Sequence, residues 1–141
     1  MNRAAILSSL LSLSLAAFAG QSPNPGPGTQ DSFKIVDVVA KNYEFTPNEI
    51  HVAKGTRVQL KLRTADRAHG LTIDIYPEGA RKDGHPGLIF PHAQDNAKVE
   101  HDQERIIEFV AERVGTYDFK CSVQCGLFGH GRMTGKLVVD E

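Results

Sequence analysis

A chain of 141 residues with 16 basic and 17 acidic side chains, a net charge of −1 and 40% hydrophobic residues has the size and balance of one globular domain. It offers no basic stripe for nucleic acid, no glycine-rich nucleotide loop and no internal repeat.

The first residues read as an address. Asn2 and Arg3 form a short positive start, residues 4–19 carry no charge, and Ala17-Phe18-Ala19 sets small residues before a cleavage point at Gly20. This predicts a signal peptide over 1–19 and export to the periplasm or the extracellular space. The apolar stretch is serine-rich and below the roughly 20 residues of a membrane span, so membrane contact is expected only if it stays uncleaved. No cysteine follows to carry a lipid. Residues 20–32, rich in proline and glycine, read as a flexible leader that cannot bury enough surface to offset its ordering entropy. Residues 33–141 read as the domain.

Strand periodicity begins at Phe33. Ile50 and Val52, then Val58, Leu60 and Leu62, alternate with polar residues, and Lys54-Gly55 supplies a turn. Strands are therefore predicted at 49–53 and 56–63. Another is expected at 69–75, before Pro77. Residues 78–96 contain Gly79, Gly84, Pro86, Gly87 and Pro91, and read as a long loop with one short helical turn at most. Residues 105–110 alternate around Ile107 and Phe109, Gly115 turns the chain, and Tyr117, Phe119 and Cys121 share one face of a strand at 116–121. A last strand is predicted at 137–139. Many short strands with turn signals between them indicate an all-β fold, a Greek-key sandwich or barrel of about seven to eight strands, expected to be antiparallel.

Chemistry concentrates near the C-terminus, where Cys121, Cys125, His130 and Met133 lie in one run. Thiolate, thioether and imidazole together favour copper over the oxygen-seeking cations. In an exported chain the same two cysteines also suit a disulfide. Inward phasing of Cys121 and the nearby His130-x2-Met133 favour metal. Gly126, Gly129, Gly131 and Gly135 let the connecting loop fold tightly. His69, at the start of a predicted strand, is the upstream histidine set to complete the cluster, with Asp66 as a partner for its other ring nitrogen. The bland alternatives are a buried His69 bonded to backbone, an exposed His130 and a core Met133. His51, His85, His92 and His101 read as solvated residues, the loop pair His85 and His92 having an accessory metal site as the alternative.

Phe45-Thr-Pro-Asn-Glu-Ile-His-Val52, Lys54-Gly55, Asp66-x2-His69-Gly70, Gly115-Thr-Tyr-x-Phe119-x-Cys121 and Cys125-Gly126 resemble the cupredoxins. The C-terminal run is most similar to the binuclear copper A domain of cytochrome c oxidase subunit II and nitrous oxide reductase. The resemblance spans about 45–139. It implies that Cys121 and Cys125 bridge two copper ions, that His69 and His130 each cap one, and that Met133 and the backbone carbonyl of Val123 are weak ligands. It also implies one-electron transfer with a redox partner such as a c-type cytochrome or a terminal oxidase or reductase.

Three departures qualify it. Four residues separate Cys125 from His130 where the family has three. No pair of membrane helices or propeller domain accompanies the sequence. Trp, the aromatic expected to pass electrons in subunit II, is absent. A mononuclear copper site and a copper storage or delivery role for oxidase assembly are the alternatives. Enzymatic activity is not expected of the chain alone, since no general acid or base stands near the motif, although a mononuclear copper with an open position would allow it.

Overall fold

The structure is a computed structural model and describes residues 33–41, 43–92, 98–123 and 133–141. The segments read as signal peptide (1–19) and leader (20–32) lie outside the described residues. Nine strands are formed among the described residues: β1 (Lys34–Lys41), β2 (Glu44–Thr46), β3 (Glu49–Ala53), β4 (Arg57–Thr64), β5 (Thr72–Ile73), β6 (Leu88–Ile89), β7 (Glu104–Ala111), β8 (Gly115–Lys120) and β9 (Thr134–Asp140). No helix occurs among the described residues.

The strands make two sheets, ordered β2-β1-β4-β7-β6 and β3-β9-β8-β5. Alternation decides which side chains face inward. In β4, Val58, Leu60 and Leu62 are fully buried while the residues between them are not. Register sets Val58 opposite Phe109 and Leu60 opposite Ile107. From the other sheet come Ile50, Val52, Tyr117, Phe119, Leu137 and Val139, all at most 4% exposed. These two inner faces form one core.

The sandwich is all-β as expected, but not antiparallel throughout. Strands β1 and β4 are parallel, as are β3 and β9. The cause is connectivity: after β2 the chain crosses to the second sheet as β3, then returns beside β1 running in the same direction. Three short elements also depart from the sequence reading. Strand β6 lies inside the stretch read as loop, and β2 is only three residues long. The strand expected at 69–75 shrinks to Thr72–Ile73, because the backbone of His69 pairs instead with Val99 as an isolated bridge.

The 78–92 stretch is anchored rather than loose. Its Gly87 amide donates to the Ile75 carbonyl (2.7 Å), and its own carbonyl accepts from the amides of Glu112 and Arg113. A Cβ at Gly87 would sit 1.9 Å from the Tyr117 hydroxyl, so only glycine fits there. That hydroxyl donates to the Arg113 carbonyl four residues upstream, closing the β7–β8 corner. Burial raises the Tyr117 pKa above its usual value.

Pairing also fixes which loops meet. Strands β1, β4 and β8 end, and β2, β7 and β9 begin, at the same end of the sandwich. Cys121 follows β8, Met133 precedes β9, and His69 follows β4, so all three converge there.

Candidate metal centre

His69 is held from both sides. Its backbone exchanges two hydrogen bonds with Val99, N–H to carbonyl at 3.1 Å and the reverse at 2.8 Å. Its side chain is wholly buried, and Nε2 lies 2.7 Å from Asp66 Oδ1. A carboxylate can only accept, so Nε2 carries the proton and Nδ1 presents its lone pair. Asp66 is fixed in turn: Oδ1 also accepts the Arg67 amide at 2.9 Å, and the Thr64 hydroxyl donates to the Arg67 carbonyl. The short polar loop after β4 is thus a bracket for one imidazole.

Nδ1 of His69 lies 3.9 Å from Cys121 Sγ. Cys121 is half-buried at the end of β8 and packs against the core. Its amide donates to the Met133 carbonyl (3.0 Å), which ties the two flanks of the 124–132 loop together. The Cys121 thiol donates to the Val123 carbonyl at 3.4 Å. Met133 is 2% exposed, so its thioether belongs to the interior of this end.

The donor set fits a soft metal. A first-row ion bound at about 2.0 Å from nitrogen and about 2.3 Å from sulfur, at a tetrahedral to trigonal angle, separates the two donors by roughly 3.5–3.7 Å. The observed 3.9 Å is within a few tenths of an ångström of that span. Imidazole and thiolate suit copper, and the imidazole of the pair is wholly buried.

Of the residues predicted for the site, the structure brings His69, Cys121, Val123 and Met133 to one end. Cys125 and His130 lie outside the described residues. Among the described residues no group of three or more His, Cys, Asp or Glu side chains forms a metal cluster. That includes His85 and His92, both on the 78–92 stretch.

His51 is exposed on β3, between Glu49 (2.9 Å to Nε2) and Asp140 (3.1 Å to Nδ1). The hydrogen bond to Glu49, and then that to Asp140, hold its pKa above the ordinary histidine value.

Two contributors escaped the sequence reading. Val99 pins His69 from thirty residues away, and no local pattern announces that pairing. Ser122, between Cys121 and Val123, has a buried Oγ with no hydrogen-bond partner. Above the His69 bracket, the Arg67 guanidinium stacks at 5.4 Å on the ring of Tyr43, which is 41% exposed and has φ of 73°.

Comparison with known proteins shows the family and the fold. The family model described as Cupredoxin-like domain matches residues 9–139. Cytochrome c oxidase subunit 2 of Thermus thermophilus is 28% identical over 106 residues, covering 75% of this chain and 65% of that protein. The same-named protein of a further strain of that species is also 28% identical, with 52% of its length covered. The chain thus spans between half and two thirds of the curated relatives it matches. Among solved structures, auracyanin A, a "blue" copper protein from Chloroflexus aurantiacus, superposes with a TM-score of 0.57 at 18% identity, over 77% of this chain and 100% of that one. The periplasmic domain of subunit II of cytochrome oxidase from Bradyrhizobium japonicum gives 0.55 at 15% identity, over 76% and 83%.

Proposed function

The chain belongs to the cupredoxin-like domain family, and on that premise we propose that it is an exported copper protein carrying single electrons through a copper A-like site. The observation that carries this reading is the approach of a fully buried imidazole nitrogen to a strand-end thiol, 3.9 Å apart. In the proposed site Cys121 and Cys125 would hold copper as thiolates and His69 and His130 as imidazoles, with Met133 and the Val123 carbonyl as weaker donors. Bound copper would supply a one-electron couple whose charge spreads onto sulfur.

The protein's own residues do the rest. Asp66 holds the His69 proton on Nε2 and leaves Nδ1 for the metal. Val99 and Met133 fix the backbones of His69 and Cys121 to neighbouring segments, so the donors move little when charge changes. Low displacement means low reorganisation, which is what electron transfer requires. Similarity to oxidase subunit 2 supports a partner that is itself a redox protein, a c-type cytochrome or a terminal oxidase. Export is supported by the reading of residues 1–19 as a signal peptide.

A mononuclear site is the second reading. It is favoured by the match to auracyanin A over that protein's whole length, and by the extra residue between Cys125 and His130.

Copper reconstitution with metal analysis and optical and paramagnetic resonance spectra decides between them. Two coppers sharing one unpaired electron are expected. One copper with a single strong thiolate band supports the mononuclear site. Absence of copper uptake by the reduced protein overturns both.

A further inference from the structure

Tyr43 is the second of the two residues between β1 and β2, whose ends pair as Lys41 with Glu44. Its φ of 73° lies in the left-handed region. Hairpin turns of this length favour glycine at such a position, and a bulky side chain there is strained. The ring is 41% exposed and stands outside the core cluster, so core packing does not account for it. What the side chain does provide is a seat. The Arg67 guanidinium lies 5.4 Å from the ring centroid, within cation–π range.

Arg67 matters to the metal end through its backbone. Its amide donates to Asp66 Oδ1 at 2.9 Å, and its carbonyl accepts from the Thr64 hydroxyl. The same Oδ1 lies 2.7 Å from His69 Nε2. The turn is tied at its start by the Ala65 amide to the Ala40 carbonyl (3.0 Å), and at its exit by the pairing of His69 with Val99. Between these ties Arg67 is exposed, with a long side chain that has much rotamer freedom to lose. Stacking on an aromatic face restricts that freedom, because the planar guanidinium keeps one orientation.

Resting on the copper reading above, we propose that Tyr43 is a positioning residue for His69. By seating Arg67 it keeps the Thr64–Arg67 turn closed, and through Asp66 it keeps the imidazole aimed at the metal. Asp66 is 22% exposed, so water competes for its carboxylate whenever the turn opens. The strained backbone at Tyr43 is retained because it serves the neighbouring site. Tyr43 acts through Arg67 and Asp66 and is not itself a ligand.

The test compares the parent with Tyr43→Gly, which relieves the left-handed backbone but removes the ring, and Tyr43→Phe, which keeps the ring. Metal-free Tyr43→Gly should remain folded with a stability close to the parent's, yet its Arg67 amide should exchange with solvent faster. Loaded with copper and competed against a chelator, Tyr43→Gly should bind about three- to tenfold more weakly, a smaller loss than that of a direct partner of a ligating histidine. Tyr43→Phe should restore both readouts. Because the effect runs through Asp66, Tyr43→Gly should add no further loss of affinity in an Asp66→Ala background. Unchanged exchange of the Arg67 amide in Tyr43→Gly would overturn the inference, and so would additive losses of affinity in the double variant. Either result leaves the copper reading intact. A parent protein that takes up no copper overturns that reading, and faster Arg67 exchange in Tyr43→Gly would then still establish the hold of Tyr43 on the turn.

Discussion

At the scale of single residues, two hydrogen-bonded histidines show how the same side chain serves different ends. His69 and His51 both meet carboxylates, but one is wholly buried and the other exposed. Burial is what makes the Asp66 bond to His69 consequential. Asp66→Ala should weaken copper binding by about 10–100-fold, as loss of an orienting partner does at other metal sites. Asp66→Asn, which can still accept from Nε2, should cost less. Competition against a copper chelator measures both, and equal affinity of Asp66→Ala and the parent would contradict this role. His51 is instead a surface pH probe. Its carboxylate partners raise its folded pKa, so the stabilisation it lends is complete below the unfolded value and disappears as pH rises through the raised folded value. Nuclear magnetic resonance titration should find His51 above the ordinary range, and Glu49→Gln should bring it down. A His51 titrating at or below the ordinary value in the parent would refute the pairing.

Elements were readable in proportion to their alternation. Residues 49–53 form β3 with those bounds, and β4, β7 and β8 fall within a residue or two of their predicted ends, because each has an uninterrupted inward-outward pattern. Strands β2 and β6 are too short for a period to register. At β5, the sequence pattern of 69–75 is strand-like, but His69 pairs with Val99 and the ladder starts only at Thr72. Long-range pairing overrode local preference. Gly87 is the hidden hinge of this layer, since it seats the long stretch on the β7–β8 corner. Gly87→Ala, with its Cβ driven into the Tyr117 hydroxyl, should destabilise by about 1–3 kcal/mol. Tyr117→Phe should cost about 1 kcal/mol for the lost bond to the Arg113 carbonyl. Because the clash is with that hydroxyl, the cost of Gly87→Ala should shrink in the Tyr117→Phe background. Strict additivity in denaturant unfolding would show that the two do not meet.

For the molecule as a whole, fold class was legible because alternation and turn signals persist from Phe33 to the last strand. Parallel pairing of β1 with β4 and β3 with β9 was not, because sheet exchange leaves no mark in local sequence. The same limit applies to the site. Inward phasing pointed Cys121 toward the interior, and the motif around His69 pointed to a partner for it. The distance between them, the Val99 clamp and the unpaired Ser122 are products of assembly. What the assembled sandwich does is bring loops after β4 and β8, and before β9, to one end and hold a buried imidazole beside a half-buried thiol. Copper-edge X-ray absorption on the loaded protein tests this most directly. The prediction is a sulfur shell near 2.3 Å and a nitrogen shell near 2.0 Å, to within about 0.2 Å, with the sulfur shell diminished in Cys121→Ser and the nitrogen shell in His69→Gly. A copper environment of oxygen and nitrogen alone, or one unchanged by either substitution, would contradict the shared site.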